Sequence, residues 1–263
     1  MHVKIKAQVL RQPINAGYIS MGSYSSKHTD PFSLIGNIAA LAHQKHTTAG
    51  LYTERRFLLS AVNFVNSVLS VHTPKGNFSL QAEYFGFKSY RESQIGLGYS
   101  RSLGSKLDIG LKFNYFSLAI PQYGNISTVG FDLGFIAHLS ENLNVGFDAC
   151  NPIGARFFGS PGEKLRSVYT FGIGYDASDV FFVTTSIIKE EDMPVDVDAG
   201  IQYNYSKRFF IRAGIKTATS AAYAGAGYSW NMYRLDATAS YHPQLGFSPG
   251  VMLIINFKEN VLK

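Results

Sequence analysis

The sequence predicts an all-β chain: a transmembrane, antiparallel, up-and-down β-barrel of about fourteen strands with an N-terminal hatch segment. Three observations lead there. Apolar and polar residues alternate with a period of two along most of the chain, the pattern of strands with one apolar face. Only 16% of residues are charged, while Phe (20), Tyr (16) and Gly (25) are abundant; an ordinary soluble domain carries roughly 25% charge. The polar face holds Gly, Asn, Gln, Ser and sparse mixed charges, where a water-facing sheet would be rich in Lys and Glu. No apolar run approaches the roughly 20 residues of a membrane-spanning helix. In hydrocarbon, then, only a closed barrel satisfies the backbone.

Residues 1–46 are expected to form an N-terminal extension and lumenal hatch, 47–257 the barrel, and 258–263 a C-terminal tail. Met1–Leu10 alternates basic and apolar residues too briefly for a secretory signal. A bacterial outer-membrane barrel must be exported, so the chain is expected to lack its signal peptide or to start downstream of it. The strands are read at about 47–54, 57–71, 77–86, 91–101, 105–118, 127–138, 142–151, 166–176, 180–188, 195–205, 208–217, 221–230, 232–241 and 246–257. The sixth and seventh show the unit: Val129, Phe131, Leu133, Phe135 and Ala137 oppose Gly130, Asp132, Gly134, Ile136 and His138. Leu143, Val145, Phe147 and Ala149 then oppose Asn144, Gly146 and Asp148, across the polar turn Leu139–Asn142. An even strand number places both termini on the periplasmic side. Tight turns such as Thr73–Gly76 and Leu103–Lys106 alternate with longer connections at Ile120–Ser127, Asn151–Leu165, Lys189–Pro194 and His242–Gly246, the asymmetry of periplasmic turns and extracellular loops. The last strand, Gly250–Phe257, looks like the terminal assembly signal of outer-membrane barrels, followed here by a short tail.

Several function classes fall away. The net charge is +6, but the 24 Lys and Arg are scattered, without the dense basic run of a nucleic-acid surface. The single cysteine, Cys150, cannot form an intramolecular disulfide. There is no phosphate loop, nucleophile elbow or metal-spaced His/Cys cluster. His43 and His46 are three apart, too few ligands for a metal. His138 with neighbouring serines does not make a hydrolase triad. No catalytic residue, metal site or cofactor is expected.

The lumen is more informative. Alternation turns Glu83, Asp108, Asp132, Asp148, Asp196, Asp198 and Asp236 inward together with Lys112, Arg212, Lys216 and Arg234. Charges removed from water must be paired or wetted. Hairpin register puts Asp198 close to Arg212 or Lys216. Two readings follow: an ionic network bracing a narrow barrel, or a charged permeation path. The loop Gly154–Gly159 offers Arg156, Phe157 and Phe158 as a partner or ligand contact, with a membrane-interface anchor as the plain alternative.

The N-terminal segment is not strand-like. Gly22–Phe32, with Asp30–Pro31, followed by Asn37-Ile38-Ala39-Ala40-Leu41, resembles the opening of FadL-type outer-membrane barrels, in particular the PorV/PorQ branch of Bacteroidota. Ile38 stands where that branch usually has Pro, and Ala40 where Gly is common. Phe85-Gly86 with Tyr90 and Glu92, Asn151-Pro152 and Arg212-Ala213-Gly214 follow in the family's order. The resemblance implies that residues 13–45 form a hatch inside the lumen, with Asp30, Pro31 and Asn37 as its motif. It also implies one of two roles: a non-enzymatic partner of other envelope proteins, such as a secretion apparatus, or a passive carrier of small hydrophobic molecules. The short loops and charged lumen favour the partner role. Expected contacts are outer-membrane lipid, other envelope proteins and, in the alternative, a hydrophobic ligand.

Overall fold

Hydrocarbon offers a backbone N–H or C=O no partner, so a sheet placed in it must close on itself. The computed structural model describes residues 14–121, 124–158 and 164–257, and among them fourteen strands close into one antiparallel barrel. In chain order these are β1 Thr48–Arg55, β2 Asn63–Val71, β3 Asn77–Phe87, β4 Tyr90–Leu103, β5 Leu107–Ile120, β6 Gly124–His138 and β7 Leu143–Cys150. β8 Val168–Asp176, β9 Phe181–Glu190, β10 Val195–Asn204, β11 Phe209–Lys216, β12 Ala221–Trp230, β13 Tyr233–His242 and β14 Gly246–Asn256 complete the circle. Each strand pairs with the next, and β1 pairs with β14 from Thr48 opposite Asn256 to Glu54 opposite Gly250.

The two faces differ as lipid and lumen require. Leu97 on β4 and Phe113 on β5 are cross-strand partners on the outside, 62% and 60% exposed. Outward positions on β3, β6, β10 and β14 are likewise apolar, among them Leu80, Val129, Ile201 and Val251. Inward positions are mostly Gly, polar or charged and mostly buried, with a minority of apolar side chains such as Tyr52, Phe64 and Phe182 where the N-terminal segment packs on the wall. Among the described residues no helix is long and apolar enough to cross a membrane; the strands do the crossing. The architecture is that of an outer-membrane barrel.

Strand boundaries differ from the sequence reading at three places. β2 starts at Asn63 rather than 57, because Phe57 and Leu58 take positive φ (53° and 57°) in a 3₁₀ turn at Arg56–Leu58. The chain there folds over the rim, where the Phe57 amide donates to the Ser248 hydroxyl at 2.9 Å. The expected loop Ile120–Ser127 is largely strand: β5 and β6 pair as far as Ile120 opposite Gly124. Lys189 and Glu190 belong to β9 in the same way. At that rim the connections after β5 and β9 are short, while β1–β2 runs over 56–62 and β7–β8 over 151–167, so the two ends contrast less than the sequence suggests. We call the rim at which β1 begins the turn end, and the opposite one the loop end.

The interior is filled by the chain's own N-terminal segment. Ala16–Ile19 forms one α-helical turn, and 3₁₀ turns follow at Met21–Tyr24, Pro31–Ile35 and Ile38–His43. Tyr18, Ile19, Phe32, Ile38 and Leu41 from this segment share one buried cluster with Tyr52, Phe64 and Phe182 of the wall. Wall glycines let it approach. A Cβ on Gly110 would stand 2.7 Å from the Ala39 nitrogen, and one on Gly174 2.1 Å from the Tyr24 carbonyl oxygen. Both obstacles are backbone, which cannot swing aside as a side chain can. The expected tail 258–263 and the first thirteen residues lie outside the described residues.

Leu97→Arg distinguishes this barrel from a soluble one. In lipid, Arg near the bilayer midplane is expected to destabilise by about 2–4 kcal/mol in reversible unfolding from vesicles. A shift within about 0.5 kcal/mol is what an exposed site on a soluble protein gives.

Candidate functional site

The segment inside the barrel is held by polar contacts at three heights. Near the middle, Asp30 caps the turn Pro31–Ile35: its carboxylate accepts from the Phe32 amide at 3.0 Å, Ser33 answers its own N–H, and Pro31 takes the first helical position. The second carboxylate oxygen meets the wall. Arg212 Nη2 and Arg234 Nη1 reach Asp30 Oδ2 at 3.3 and 3.0 Å. Arg234 is also bidentate to Asp236 at 2.8 and 2.6 Å. Arg212 donates to Gln202 Oε1 at 2.7 Å and to the Tyr18 carbonyl at 3.1 Å. Asp30 therefore ends one turn of the segment and joins it to β11 and β13.

Asn37 works similarly one turn later. Its side-chain oxygen caps Ile38–His43 through the Ala39 amide at 2.9 Å, and its Nδ2 donates to the carbonyls of Phe135 and Phe147 at 3.1 and 3.2 Å. Both acceptors belong to the wall backbone, on β6 and β7.

At the loop end the anchor is Glu54, which sequence reading did not single out. Its carboxylate accepts from the Ile14 amide at 2.8 Å, from Asn15 Nδ2 at 3.0 Å, from Tyr52 OH at 2.8 Å and from Arg56 Nε at 3.1 Å. Glu54 falls on the inward phase of β1, so the signal was present, but the strand's edge hid it. At the turn end, Asp176 accepts from the Ser25 hydroxyl at 2.6 Å and the Ser26 amide at 3.1 Å. Asn77 Nδ2 donates to the carbonyls of Leu41 and Gln44 at 2.5 and 2.8 Å.

The other lumenal charges divide into two groups rather than forming one network. Asp198 and Asp108 sit against the N-terminal segment. Tyr223 OH donates to Asp198 at 2.6 Å, and Lys216, directly opposite on β11, lies at 4.0 Å; Arg212 is opposite Gln202 instead. Asp108 receives His43 and His138. Glu83, Lys112 and Asp132 face a space above the segment: Lys112 pairs with Asp132 at 3.1 Å and Asn66 Nδ2 donates to Glu83 at 3.1 Å. Asp148 is buried beside Cys150, whose thiol reaches it at 3.3 Å.

That space is a cavity of about 550 Å³ opening at the loop end. Ile14 and Ile35 from the N-terminal segment line it, and Val62, Phe85, Phe116, Val168, Ile188 and Leu245 give it apolar walls. Lys112, Asp132, Glu83, Asp196 and Lys216 supply the polar part. Lower down, between Tyr24, Thr170, Ser186 and Asp198, a void of about 30 Å³ remains, the volume of about one water. Ile188 and Lys216 border both spaces.

The β7–β8 loop departs from expectation. Arg156 and Phe158 are exposed, but Phe157 is 5% exposed and packs with Phe116 and Leu165. The reason is local pairing. The Phe158 amide donates to the Ser127 carbonyl at 2.8 Å, Thr128 Oγ1 donates to the Arg156 carbonyl at 2.8 Å, and Arg156 bridges Lys164. The loop runs as an extra strand-like stretch against β6, so alternation sends Phe157 in and Phe158 out.

No family model and no curated protein sequence matches the chain. Solved structures do share its fold. A Pseudomonas aeruginosa FadL homologue superposes with a TM-score of 0.65 at 12% identity, covering 93% of this chain and 98% of that one. The Pseudomonas putida toluene transporter TodX gives 0.59 at 11% identity over 89% and 97% of the two chains. The Ralstonia pickettii toluene transporter TbuX gives 0.61 at 11% over 86% and 92%. The fold is that of FadL-type outer-membrane barrels.

Two outcomes follow for the seated segment. Asp30→Ala leaves the buried Arg212 without a carboxylate and is expected to cost about 3–5 kcal/mol, read by urea unfolding in lipid. Asp30→Asn, which can still cap the turn, should lose less. The second concerns His28, against Phe182 and near Asp176 at 3.9 Å. Burial pushes its imidazole below the ordinary value, and Asp176 opposes this only in part. The folded state then binds fewer protons than the unfolded state, so stability is complete above about 6.5 and falls as pH drops through the folded value. Melting temperature across that range should show a shallower acid-side slope in His28→Leu.

Proposed function

We propose that the protein is a non-enzymatic outer-membrane barrel that binds small apolar molecules at its loop end and passes them inward, with residues 14–46 as a hatch. The observation that carries this reading is the cavity of about 550 Å³ above the hatch. It lies within the roughly 300–1,000 Å³ of small-ligand pockets, and mixes apolar walls with a few convergent polar groups as such pockets do. Phe85, Phe116, Val168 and Ile188 would hold an aromatic or short aliphatic body, while Lys112, Asp132 and Glu83 face it from one side. The fold it shares with toluene transporters and a FadL homologue supports the same substrate class.

Below the cavity the hatch fills the lumen, and the next void holds about one water. Passage therefore needs the hatch to shift, and the side beside Thr170, Thr184 and Ser186 is where the wall side chains are small. The partner role favoured by the sequence finds no support among these fold neighbours, two of which are toluene transporters. The narrower likeness to the PorV/PorQ branch rests on the motif residues alone.

Filling the cavity tests the reading. Ala221→Trp places an indole among the lining residues and is expected to cut uptake of labelled toluene by reconstituted vesicles several-fold while the barrel stays folded. Equal uptake by wild-type vesicles and protein-free ones, with stable co-purification of other envelope proteins, would return the partner role.

A further inference from the structure

At the turn end, three side chains from three different elements bring their donor atoms to one point. His43 closes the last 3₁₀ turn of the hatch, Asp108 is the second residue of β5 and His138 is the last residue of β6. His43 Nε2 lies 2.7 Å from Asp108 Oδ2, His138 Nε2 lies 2.9 Å from the same oxygen, and the two nitrogens are 2.8 Å apart. Among the described residues this is the one place where three such donors converge.

The protons do not fit this triangle unaided. Asn144 Nδ2 donates to the Tyr24 carbonyl at 3.0 Å, which fixes the amide and turns its oxygen towards His138. His138 Nδ1 stands 2.6 Å from that oxygen, so Nδ1 must carry the hydrogen. A neutral His138 then presents a bare lone pair at Nε2, pointed at an acceptor oxygen of Asp108. His43 Nε2 can supply at most one hydrogen to both. Asp108 is itself 1% exposed, so its charge has to be met inside the protein. A cation at the centre would be met by two imidazole lone pairs and one carboxylate oxygen.

We propose that His43, Asp108 and His138 form a binding site for a divalent transition ion of the zinc class, joining the hatch to the barrel wall. Two neutral imidazoles and a carboxylate are a donor set that zinc accepts, with a fourth position left for water. The Asn144–His138 hydrogen bond is the outer contact that metal-bound histidines make, holding the ring's tautomer and orientation. Metal–ligand bonds of about 2.0–2.2 Å imply ligand spacings of about 3.3–3.5 Å in a tetrahedral site. Opening the triangle by about half an ångström is within reach of side-chain torsions. His43 is 33% exposed, which gives an ion a path from the aqueous side. The inference rests on this geometry and is independent of what the barrel carries.

Isothermal titration of the metal-stripped full chain in detergent with zinc chloride should give one site per chain, at micromolar dissociation constant or tighter. Melting temperature should rise with zinc and fall back on chelation, since the ion binds only the folded state. His43→Ala and His138→Ala should each weaken binding at least tenfold, while His46→Ala, outside the triangle, should leave it unchanged. Retained heat-modifiable migration on gels identifies folded variants. Cobalt substitution gives a second readout on wild-type protein alone, in which a four-coordinate absorption spectrum is expected. Absence of a one-to-one site in the wild type, or zinc binding unaltered in a folded His43→Ala protein, would overturn the assignment; the cluster would then be held by a proton.

Discussion

Everything in this molecule depends on the closure of β1 against β14. In hydrocarbon a free strand edge leaves a row of unpaired backbone groups, each costing several kcal/mol. The seven paired positions from Thr48–Asn256 to Glu54–Gly250 remove that edge. Closure with fourteen strands also encloses a lumen wider than wall side chains alone can fill. That space has to be occupied by water, ligand or protein. Here the chain sends its own N-terminal segment inside, and the hatch, the cavity and the buried charges are consequences of that choice.

Filling a lumen with backbone creates an accounting problem, because short 3₁₀ turns leave many N–H and C=O groups unpaired. The wall answers with polar side chains at inward positions. Glu54 takes the two amides at the start of the segment, Asp176 takes the Ser25–Ser26 turn, and Asn77 takes the carbonyls at its end. Asp30 and Asn37 run the opposite way, capping a turn while reaching out to the wall. Glycines at Gly110, Gly134, Gly172 and Gly174 let the segment lie close against the sheet. The ionic groups nearest the hatch are thus positioning devices, and those above it line the cavity.

The strands were legible because their signal is local: alternation in β6 or β10 needs no knowledge of a partner. Boundaries failed where local signals conflict, as at Phe57–Leu58, two bulky residues in left-handed backbone at a rim. Asp30 and Asn37 stood out by resemblance to a family motif, but their partners did not, since Arg212 and Arg234 are 182 and 204 residues away. The same distance hid the convergence of His43 with His138, 95 residues on; read alone, His43 had only His46 beside it. Phe157 was misjudged because the extra pairing of its loop against β6 is a tertiary fact. Composition and period found the barrel. Long-range closure decided what lies inside it.

The central claim is that residues 16–41 are a seated part of the barrel rather than a loose leader. Hydrogen exchange of the protein in lipid vesicles, followed by mass spectrometry, measures this directly. The account predicts that amides from Phe32 to Leu41 exchange on the timescale of the wall strands, with the loop-end connection at 191–194 exchanging far faster. Exchange of that segment as fast as an exposed loop would contradict it.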